Sequence, residues 1–265
     1  MGVLNVTPDS FSDGGQFVSL DSALSQADQM IRDGADIIDV GGESARPGAD
    51  FISEEEELRR VLPVIEGLAR RVSIPISIDT TKSAVARAAL RAGGEIVNDI
   101  SGLRFDTAIA DVAAQSRAGL VLMHSRGTPK SMQQLPPVDD IINEVVKGLH
   151  ASVALAAEHG VESQAICVDP GIGFGKSAAQ NLELIAKLDQ LAKEFSDFPL
   201  MIGTSRKGFI GKLLNDAPAD KRVHGTVATV VASVLKGAHI VRVHDVKAVI
   251  EAVRVADAIC QSRPG

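Results

Sequence analysis

The sequence contains no Trp and no Tyr, and eight Phe supply its aromatic side chains. Proteins that bind single-stranded nucleic acids stack bases on aromatic rings, so this composition argues against that class. The formal net charge of −7 also argues against nucleic acid or an anionic membrane surface as the main partner. We therefore expect small-molecule partners, and an anionic one would need a local cluster of cations.

Cysteines and long apolar stretches are scarce as well. Cys167 and Cys260 are too few for a disulfide framework. No apolar stretch reaches the length of a membrane span, and no basic segment followed by an apolar one opens the sequence. We therefore predict a cytoplasmic protein that is neither secreted nor inserted in a membrane.

The 265 residues suit one large α/β domain that spans residues 1–265. Short apolar runs predict eight strands, and almost every run ends at a polar or charged residue. The predicted strands are residues 2–6, 36–40, 74–78, 95–97, 119–123, 165–168, 199–203 and 239–243.

Apolar residues at helical spacing follow each of these runs. The second helix begins with a capping-box pattern, Ser53 to Glu56, and extends through Leu68. The other predicted helices are residues 20–33, 82–92, 106–117, 140–158, 178–193, 223–236 and 247–258.

Eight alternations of strand and helix predict parallel strands joined by crossover helices. In a chain of this length they favour a (β/α)8 TIM barrel with its active site at the C-terminal ends of the strands. A doubly wound open sheet is the alternative, but it rarely has eight regular units with polar strand ends. Two long connections, residues 7–18 and 41–52, lie at the predicted active face and are candidate lids.

A glycine-rich segment, residues 169–177, resembles a phosphate-binding loop but misses the required pattern. Pro170 stands where a Walker A loop needs its first Gly, although Lys176 and Ser177 end the segment correctly. We therefore favour a tight loop beside a flat ligand, with Asp169 as the end of the sixth strand.

Acceptor groups follow three of the predicted strands. Asp79, Asn98 and Asp169 end strands three, four and six. A carboxylate at the mouth of an apolar barrel needs a partner, and the adjacent N–H groups of a 2-amino-pyrimidinone ring would supply one. A structural salt bridge or a helix cap explains either Asp alone about equally well.

Cations follow the last two strands. Lys207 lies just beyond strand seven, and Arg242 and His244 alternate at the end of strand eight, so their side chains point the same way. With Arg46 from the second long loop, they form a predicted phosphate site.

His124 ends strand five without a second His or Cys at metal-ligand spacing. We interpret it as a hydrogen-bonded structural histidine. No serine-hydrolase elbow of the form G-x-S-x-G occurs.

Taken in order, these motifs closely resemble those of bacterial dihydropteroate synthases, pterin-binding TIM-barrel enzymes. The resemblance covers residues 5–15, 39–48, 78–80, 98–100, 169–176, 205–207 and 242–245, nearly end to end, and the first of these loops is highly specific. The family condenses 6-hydroxymethyl-7,8-dihydropterin diphosphate with 4-aminobenzoate and releases pyrophosphate.

The resemblance implies a role for each of twelve residues. The pterin would be held by Asp79, Asn98, Asp169 and Lys207. The diphosphate would be held by Arg46, Arg242 and His244. The accompanying Mg²⁺ would contact Asn5, and the aminobenzoate pocket would include Phe11, Pro47, Phe174 and Gly208. It further implies an SN1-like substitution, inhibition by sulfonamides and a homodimer formed through the later helices.

One departure from the family pattern concerns the second loop. Ala45 stands where the family commonly has Thr, and the missing hydroxyl removes a hydrogen bond worth about 0.5–1.5 kcal/mol. Two other interpretations remain. A pterin-binding methyltransferase shares the barrel but needs no diphosphate site, and a catalytically dead scaffold would not need the intact charged residues.

Overall fold

Strands and helices alternate throughout the part of the chain that the computed structural model describes, residues 1–7, 16–46 and 48–262. The strands are β1 Gly2–Asn5, β2 Ile38–Gly41, β3 Ile76–Asp79, β4 Ile96–Asp99, β5 Gly119–Met123, β6 Ile166–Asp169, β7 Met201–Ile202 and β8 Ile240–Val241. The α-helices are α1 Gln16–Arg32, α2 Glu54–Ala69, α3 Ser83–Arg91, α4 Ala108–Ser116, α5 Ile141–Glu158, α6 Ala178–Ala186, α7 Leu188–Glu194, α8 Gly208–Leu213, α9 Val223–Val234 and α10 Val246–Gln261.

The eight strands form a parallel ring. β1 to β6 pair in chain order, and β7 pairs with β8. Single parallel bridges join Val168 to Leu200 and Gly2 to Val243, which connect β6 to β7 and β8 to β1. The predicted (β/α)8 barrel is therefore confirmed. Its strand pairing is weakest between β6 and β7 and between β8 and β1, where a single bridge joins the strands.

Strand register brings several predicted site residues to one level of the barrel. Asn5 pairs with Gly41, Gly41 with Asp79, and Asp79 with Asn98. On the far side of the ring, Asp169 pairs with Met123. Because these residues end parallel strands, their side chains meet at one face, as the sequence predicts.

Apolar packing fills two layers. The larger one lies between the strands and the helices and includes the fully buried Leu4, Ile65 and Leu120. A smaller cluster consists of Met1, Val121, Cys167 and Met201. No helix among residues 1–7, 16–46 and 48–262 is long and apolar enough to cross a membrane.

Some predicted helix details are wrong. The helix predicted over 178–193 is two helices, because Lys187 between them adopts φ −110° and ψ 21°. The Ser53 side chain caps α2 as predicted, but Glu56 does not complete the capping box, because its carboxylate accepts hydrogen bonds from Arg59 and Arg60. A complete capping box instead begins α6, between Ser177 and Gln180.

Candidate active site

A cavity of about 680 Å³ opens at the C-terminal ends of the strands. Ten of the twelve predicted site residues line it. They are Asn5, Arg46, Asp79, Asn98, Asp169, Phe174, Lys207, Gly208, Arg242 and His244. The other two, Phe11 and Pro47, lie outside the described residues, as does most of the first predicted lid loop.

Arg242 is held between two carboxylates. Its Nε donates to Asp39 Oδ2 and its Nη2 to Asp79 Oδ2, both at 2.6 Å. Burial raises the pKa of the Asp79 carboxyl, while the Arg242 charge opposes the rise. Sequence analysis assigned Asp39 no role, although a charged residue inside an apolar strand needs a buried partner. The predicted separation of cations from acceptors therefore does not hold for Arg242.

Asn98 extends this buried network. Its amide nitrogen donates to Asp39 Oδ2 at 3.1 Å. Its side-chain oxygen, Oδ1, is buried, and none of the described residues donates a hydrogen bond to it. Since buried acceptors are normally satisfied, this oxygen is suited to an N–H group of a ligand.

Asp169 ends β6 and shapes the glycine-rich loop behind it. Its Oδ1 accepts a hydrogen bond from the Gly171 amide at 2.7 Å. Gly171 has φ +68°, and a β-carbon there would lie 1.9 Å from the carbonyl oxygen of His124, so only Gly fits. Burial raises the pKa of Asp169, opposed by the Gly171 N–H and then by Lys207.

The lysine of the near-Walker segment has a structural partner set. Lys176 Nζ donates to the backbone carbonyls of His124, Gly171 and Phe174 at 3.1, 2.9 and 3.2 Å. Burial lowers the pKa of Lys176 to about 7. Lys176 therefore holds the loop together.

Lys207 lies over an aromatic ring. Its Nζ is 4.0 Å from the centroid of Phe174. Burial and the Arg242 charge lower the pKa of Lys207 to about 8, against the attraction of Asp169. The ammonium group and the ring together form one wall of the cavity.

The segment around Lys207 is fixed by its neighbours. Arg206 adopts φ +58°, an uncommon conformation for a non-glycine residue. Its amide donates to Thr226 Oγ1 at 3.0 Å, and its Nε donates to Asp245 at 2.9 Å. These contacts hold the turn that directs Lys207 into the cavity.

His244 is a neutral hydrogen-bonding group. Ser205 Oγ accepts from the His244 amide at 3.2 Å and lies 3.0 Å from Nδ1. Burial, followed by the Arg242 and Arg206 charges, lowers the pKa of His244 to about 3. The Ser205 hydroxyl can accept from the amide and either donate to Nδ1 or accept from it; when it donates, Nε2 carries the ring proton.

Arg46 comes from the second long loop, and an ion cluster fixes the base of that loop. Glu43 Oε1 accepts from the Ile52 amide at 2.6 Å and from Lys82 Nζ at 3.1 Å. Lys82 also donates to the fully buried Glu57 at 2.6 Å. This cluster was not predicted from the sequence, because its residues lie far apart in the chain.

Ala45, the departure from the family pattern, packs against apolar side chains. It lies beside the cluster of Met123, Met132 and Phe174. A threonine at this position would bring its hydroxyl to an apolar wall of the cavity.

The prediction for His124 is wrong. The residue is 8% exposed, and its buried Nδ1 has no hydrogen-bond partner among the described residues. Burial and then the Lys176 charge lower its pKa to about 2. His124 is therefore buried and neutral, without the partner that a structural histidine normally has.

Asn5 is the only predicted metal ligand. Its Oδ1 and Asp79 Oδ2 would lie 3.7 and 3.8 Å from a β-carbon placed on Gly41, so both face the same gap. Within the described parts of the chain, no group of three or more His, Cys, Asp or Glu could hold a metal ion. Asn5 therefore offers a metal ion one neutral oxygen ligand, but the described residues do not form a complete set of protein ligands.

Comparison with known proteins agrees with this geometry. The model of the pterin binding enzyme family matches residues 1–244. The chain belongs to the dihydropteroate synthase family of pterin-binding enzymes. It is 51% identical to the dihydropteroate synthase of Synechocystis over 98% of this chain and 89% of that protein.

Solved structures of relatives superpose closely. The Yersinia pestis dihydropteroate synthase in complex with a sulfonamide drug has a TM-score of 0.92 and 42% identity, covering 99% of this chain and 94% of that one. The Xanthomonas albilineans enzyme with 4-aminobenzoic acid has a TM-score of 0.92 and 41% identity, covering 100% and 93%.

Proposed function

We propose that this protein condenses 6-hydroxymethyl-7,8-dihydropterin diphosphate with 4-aminobenzoate to give 7,8-dihydropteroate and pyrophosphate. The observation that carries the proposal is the cavity, which Asn98 and Asp169 line together with Arg46 and His244. Acceptors for a flat heterocycle thus share one opening with donors for an anionic leaving group.

Asp79, Asn98 and Asp169 would hold the pterin. The ring carries adjacent N–H groups, and a buried carboxylate that accepts two of them forms strong charge-assisted hydrogen bonds. Lys207 would donate from the other side, at the Phe174 face. The unsatisfied oxygen of Asn98 supports this assignment.

Arg46, Arg242 and His244 would hold the diphosphate. Arg242 uses Nε and Nη2 for the two carboxylates, so Nη1 is the nitrogen left for a phosphate oxygen. His244 would donate from Nε2. Mg²⁺ that arrives with the diphosphate would take Asn5 as one ligand and neutralise leaving-group charge, consistent with the single oxygen that Asn5 offers.

The aminobenzoate pocket would be formed by Phe11, Pro47, Phe174 and Gly208. Phe174 supplies an apolar wall, and Gly208 begins α8 at the cavity edge. Sulfonamides resemble 4-aminobenzoate, so we propose that they compete for this pocket. A sulfonamide that left turnover unchanged at low aminobenzoate would contradict the assignment.

The substitution would be dissociative. Cations that neutralise the pyrophosphate favour its departure and leave a carbocation-like methylene conjugated with the pterin. The Asp79 carboxylate beside the ring would stabilise that positive charge. The arylamine is neutral at pH 7 and attacks without a strong base. A secondary isotope effect near unity at the methylene carbon would contradict this step.

Pyrophosphate release with and without 4-aminobenzoate tests the function. A synthase releases pyrophosphate only when both substrates are present. A pterin-binding methyltransferase or an inactive scaffold would show no release that depends on the amine.

We also propose that the protein is a homodimer that works in the cytoplasm. Leu213 and Leu214 at the end of α8, and Val255 and Ile259 on α10, are large apolar residues that are 42–62% exposed. Exposed apolar residues on two helices are typical of a subunit interface. Both cysteines are free, which suits a reducing compartment. Light scattering of Ile259→Glu, expected to be monomeric, tests the dimer.

A further inference from the structure

A second cavity of about 500 Å³ lies behind the end of β5, on the side facing α5. Met123 lines both cavities, so a single strand end separates the second cavity from the active site. The charged side chains that line it are Arg104, Arg126, Glu144 and Lys147, and His124 and Ser125 are among the polar ones.

His124 is the buried group of this cavity. Its ring packs against α5, where a β-carbon on Gly148 would lie 2.5 Å from Cδ2 and 3.2 Å from Nε2. Glycine at this position therefore makes room for the imidazole. Its Nδ1 has no hydrogen-bond partner among the described residues, which is unusual for a histidine that is 8% exposed.

The groups around the ring are mainly cationic. Arg104 Nη2 donates to Ser125 Oγ at 2.6 Å, and its Nε donates to a backbone carbonyl. Arg126 Nη1 donates to the carbonyls of Pro136 and Gly175, both at 3.0 Å. Lys147 is exposed at the rim.

One carboxylate faces these cations. Glu144 Oε1 is 4.0 Å from Arg126 Nε, and Glu144 is 44% exposed. Lys176 lies behind His124, bonded to its carbonyl. Three arginine and lysine side chains thus share the cavity with one acidic group, in a chain whose net charge is −7. Such a local excess of donors is complementary to an anion.

We propose that this cavity is an accessory binding site for a phosphoryl anion, such as inorganic phosphate or pyrophosphate. Arg104, Arg126 and Lys147 are its donors, and His124 Nε2 completes the set from the buried side. None of the roles assigned to the active site uses these four residues, so the proposal does not depend on the proposed function.

An anion at this position is connected to the active site through hydrogen bonds. Arg126 holds the carbonyl of Gly175, and Lys176 holds the carbonyl of His124. Both contacts reach the loop that carries Phe174. An anion that draws Arg126 and His124 together therefore also restrains the wall of the aminobenzoate pocket.

Nuclear magnetic resonance of the full chain with labelled histidine side chains tests the proposal. His124→Asn and His244→Asn assign the two resonances, and phosphate and pyrophosphate are titrated separately at constant ionic strength. We expect a saturable shift of the His124 resonance with either anion. If only pyrophosphate shifts the His124 resonance, binding requires two linked phosphoryl groups. If phosphate also shifts it, one phosphoryl group is sufficient.

Charge variants provide the second readout. Lys147→Met at the exposed rim removes one charged donor and should weaken anion binding about tenfold. Lys193→Met removes the same charge from an exposed site on α7 and should leave the affinity unchanged. The proposal is overturned if only the His244 resonance responds, or if both lysine variants weaken binding equally.

Discussion

The two sides of the active-site cavity differ in how firmly their charged groups are held. On the acceptor side, Asp79, Asn98 and Asp169 end strands and already have hydrogen-bond partners in the protein. On the cation side, Arg46 projects from the second long loop, and none of the described residues forms an ion pair with its guanidinium. The acceptors are therefore preorganised, whereas Arg46 has no such partner among the described residues.

Arg242 belongs to both sides, and it shows that the two are coupled. Its guanidinium is buried between Asp39 and Asp79 while it also lines the cavity. The acceptor side thus fixes the orientation of one cation of the leaving-group site. Mutation of Asp169 should affect mainly pterin binding, and mutation of His244 mainly binding of the leaving group. Mutation of Arg242 should affect both.

Replacing Arg242 by Met should have the largest effect, because it leaves the buried carboxylate of Asp39 and the half-buried carboxylate of Asp79 without their cation. We expect a loss of about 3–5 kcal/mol in the free energy of unfolding, measured with urea. Asp39→Asn in the same chain should recover part of that loss. Arg254→Met on the exposed face of α10 is the control. A loss no larger than that of the control would show that the pairing contributes little.

Asp169→Asn should weaken pterin binding without unfolding the barrel. A charged hydrogen bond to the ring is worth about 1.5–3 kcal/mol, so the dissociation constant should rise about tenfold to a hundredfold. Calorimetry with 6-hydroxymethylpterin measures it, and Asp189→Asn on the surface is the control. Unchanged affinity would remove Asp169 from the pterin site.

Acid should destabilise the protein through its buried neutral histidines. The pKa of His244 is about 3 in the folded chain and near 6.5 when unfolded, so the unfolded chain binds more protons between these values. His244 therefore contributes full stability above about pH 6.5, and that contribution falls by up to about 1.4 kcal/mol per pH unit below it.

Urea unfolding at neutral and mildly acidic pH measures this dependence. His244→Gln should flatten the profile, and the exposed His224→Gln should not. A profile that is equally steep in wild type and His244→Gln would contradict the assigned pKa. His124, with its own lowered pKa, accounts for the slope that remains in His244→Gln.

Ala45→Thr should have the smallest effect. The added hydroxyl meets the apolar cluster around Phe174, so the gain of a possible hydrogen bond is set against local crowding. We expect a change of about 0.5–1.5 kcal/mol or less in sulfonamide or aminobenzoate affinity, measured as competition in turnover. A change well beyond tenfold would mean that residue 45 contacts the ligand directly.

The strand ends were predictable from the sequence, because apolar runs that stop at a polar residue define both the barrel and its active face. The order of Asp79, Asn98 and Asp169 around that face follows from chain order alone. These features are local in sequence, and in a (β/α)8 barrel the order of the strands in the chain determines their order around the barrel.

The pairing of Arg242 with Asp39 was not predictable, because the two residues are 203 positions apart and meet across the barrel mouth. The sequence indicated only that Asp39, a charged residue inside an apolar strand, needs a buried partner. The same limit applies to the cluster around Lys82. His124 was misassigned because its neighbours, including α5 at Gly148, come from distant segments.

Separate binding of the two halves of the substrate tests the central claim most directly. Calorimetry measures 6-hydroxymethylpterin and pyrophosphate on Asp169→Asn and on His244→Gln. We predict that Asp169→Asn weakens pterin binding and leaves pyrophosphate binding at the active site unchanged, and that His244→Gln weakens pyrophosphate binding at the active site and leaves pterin binding unchanged. Pyrophosphate in the proposed accessory cavity would bind both variants equally. Equal losses of both ligands in both variants would contradict the division of the cavity into a ring side and a leaving-group side.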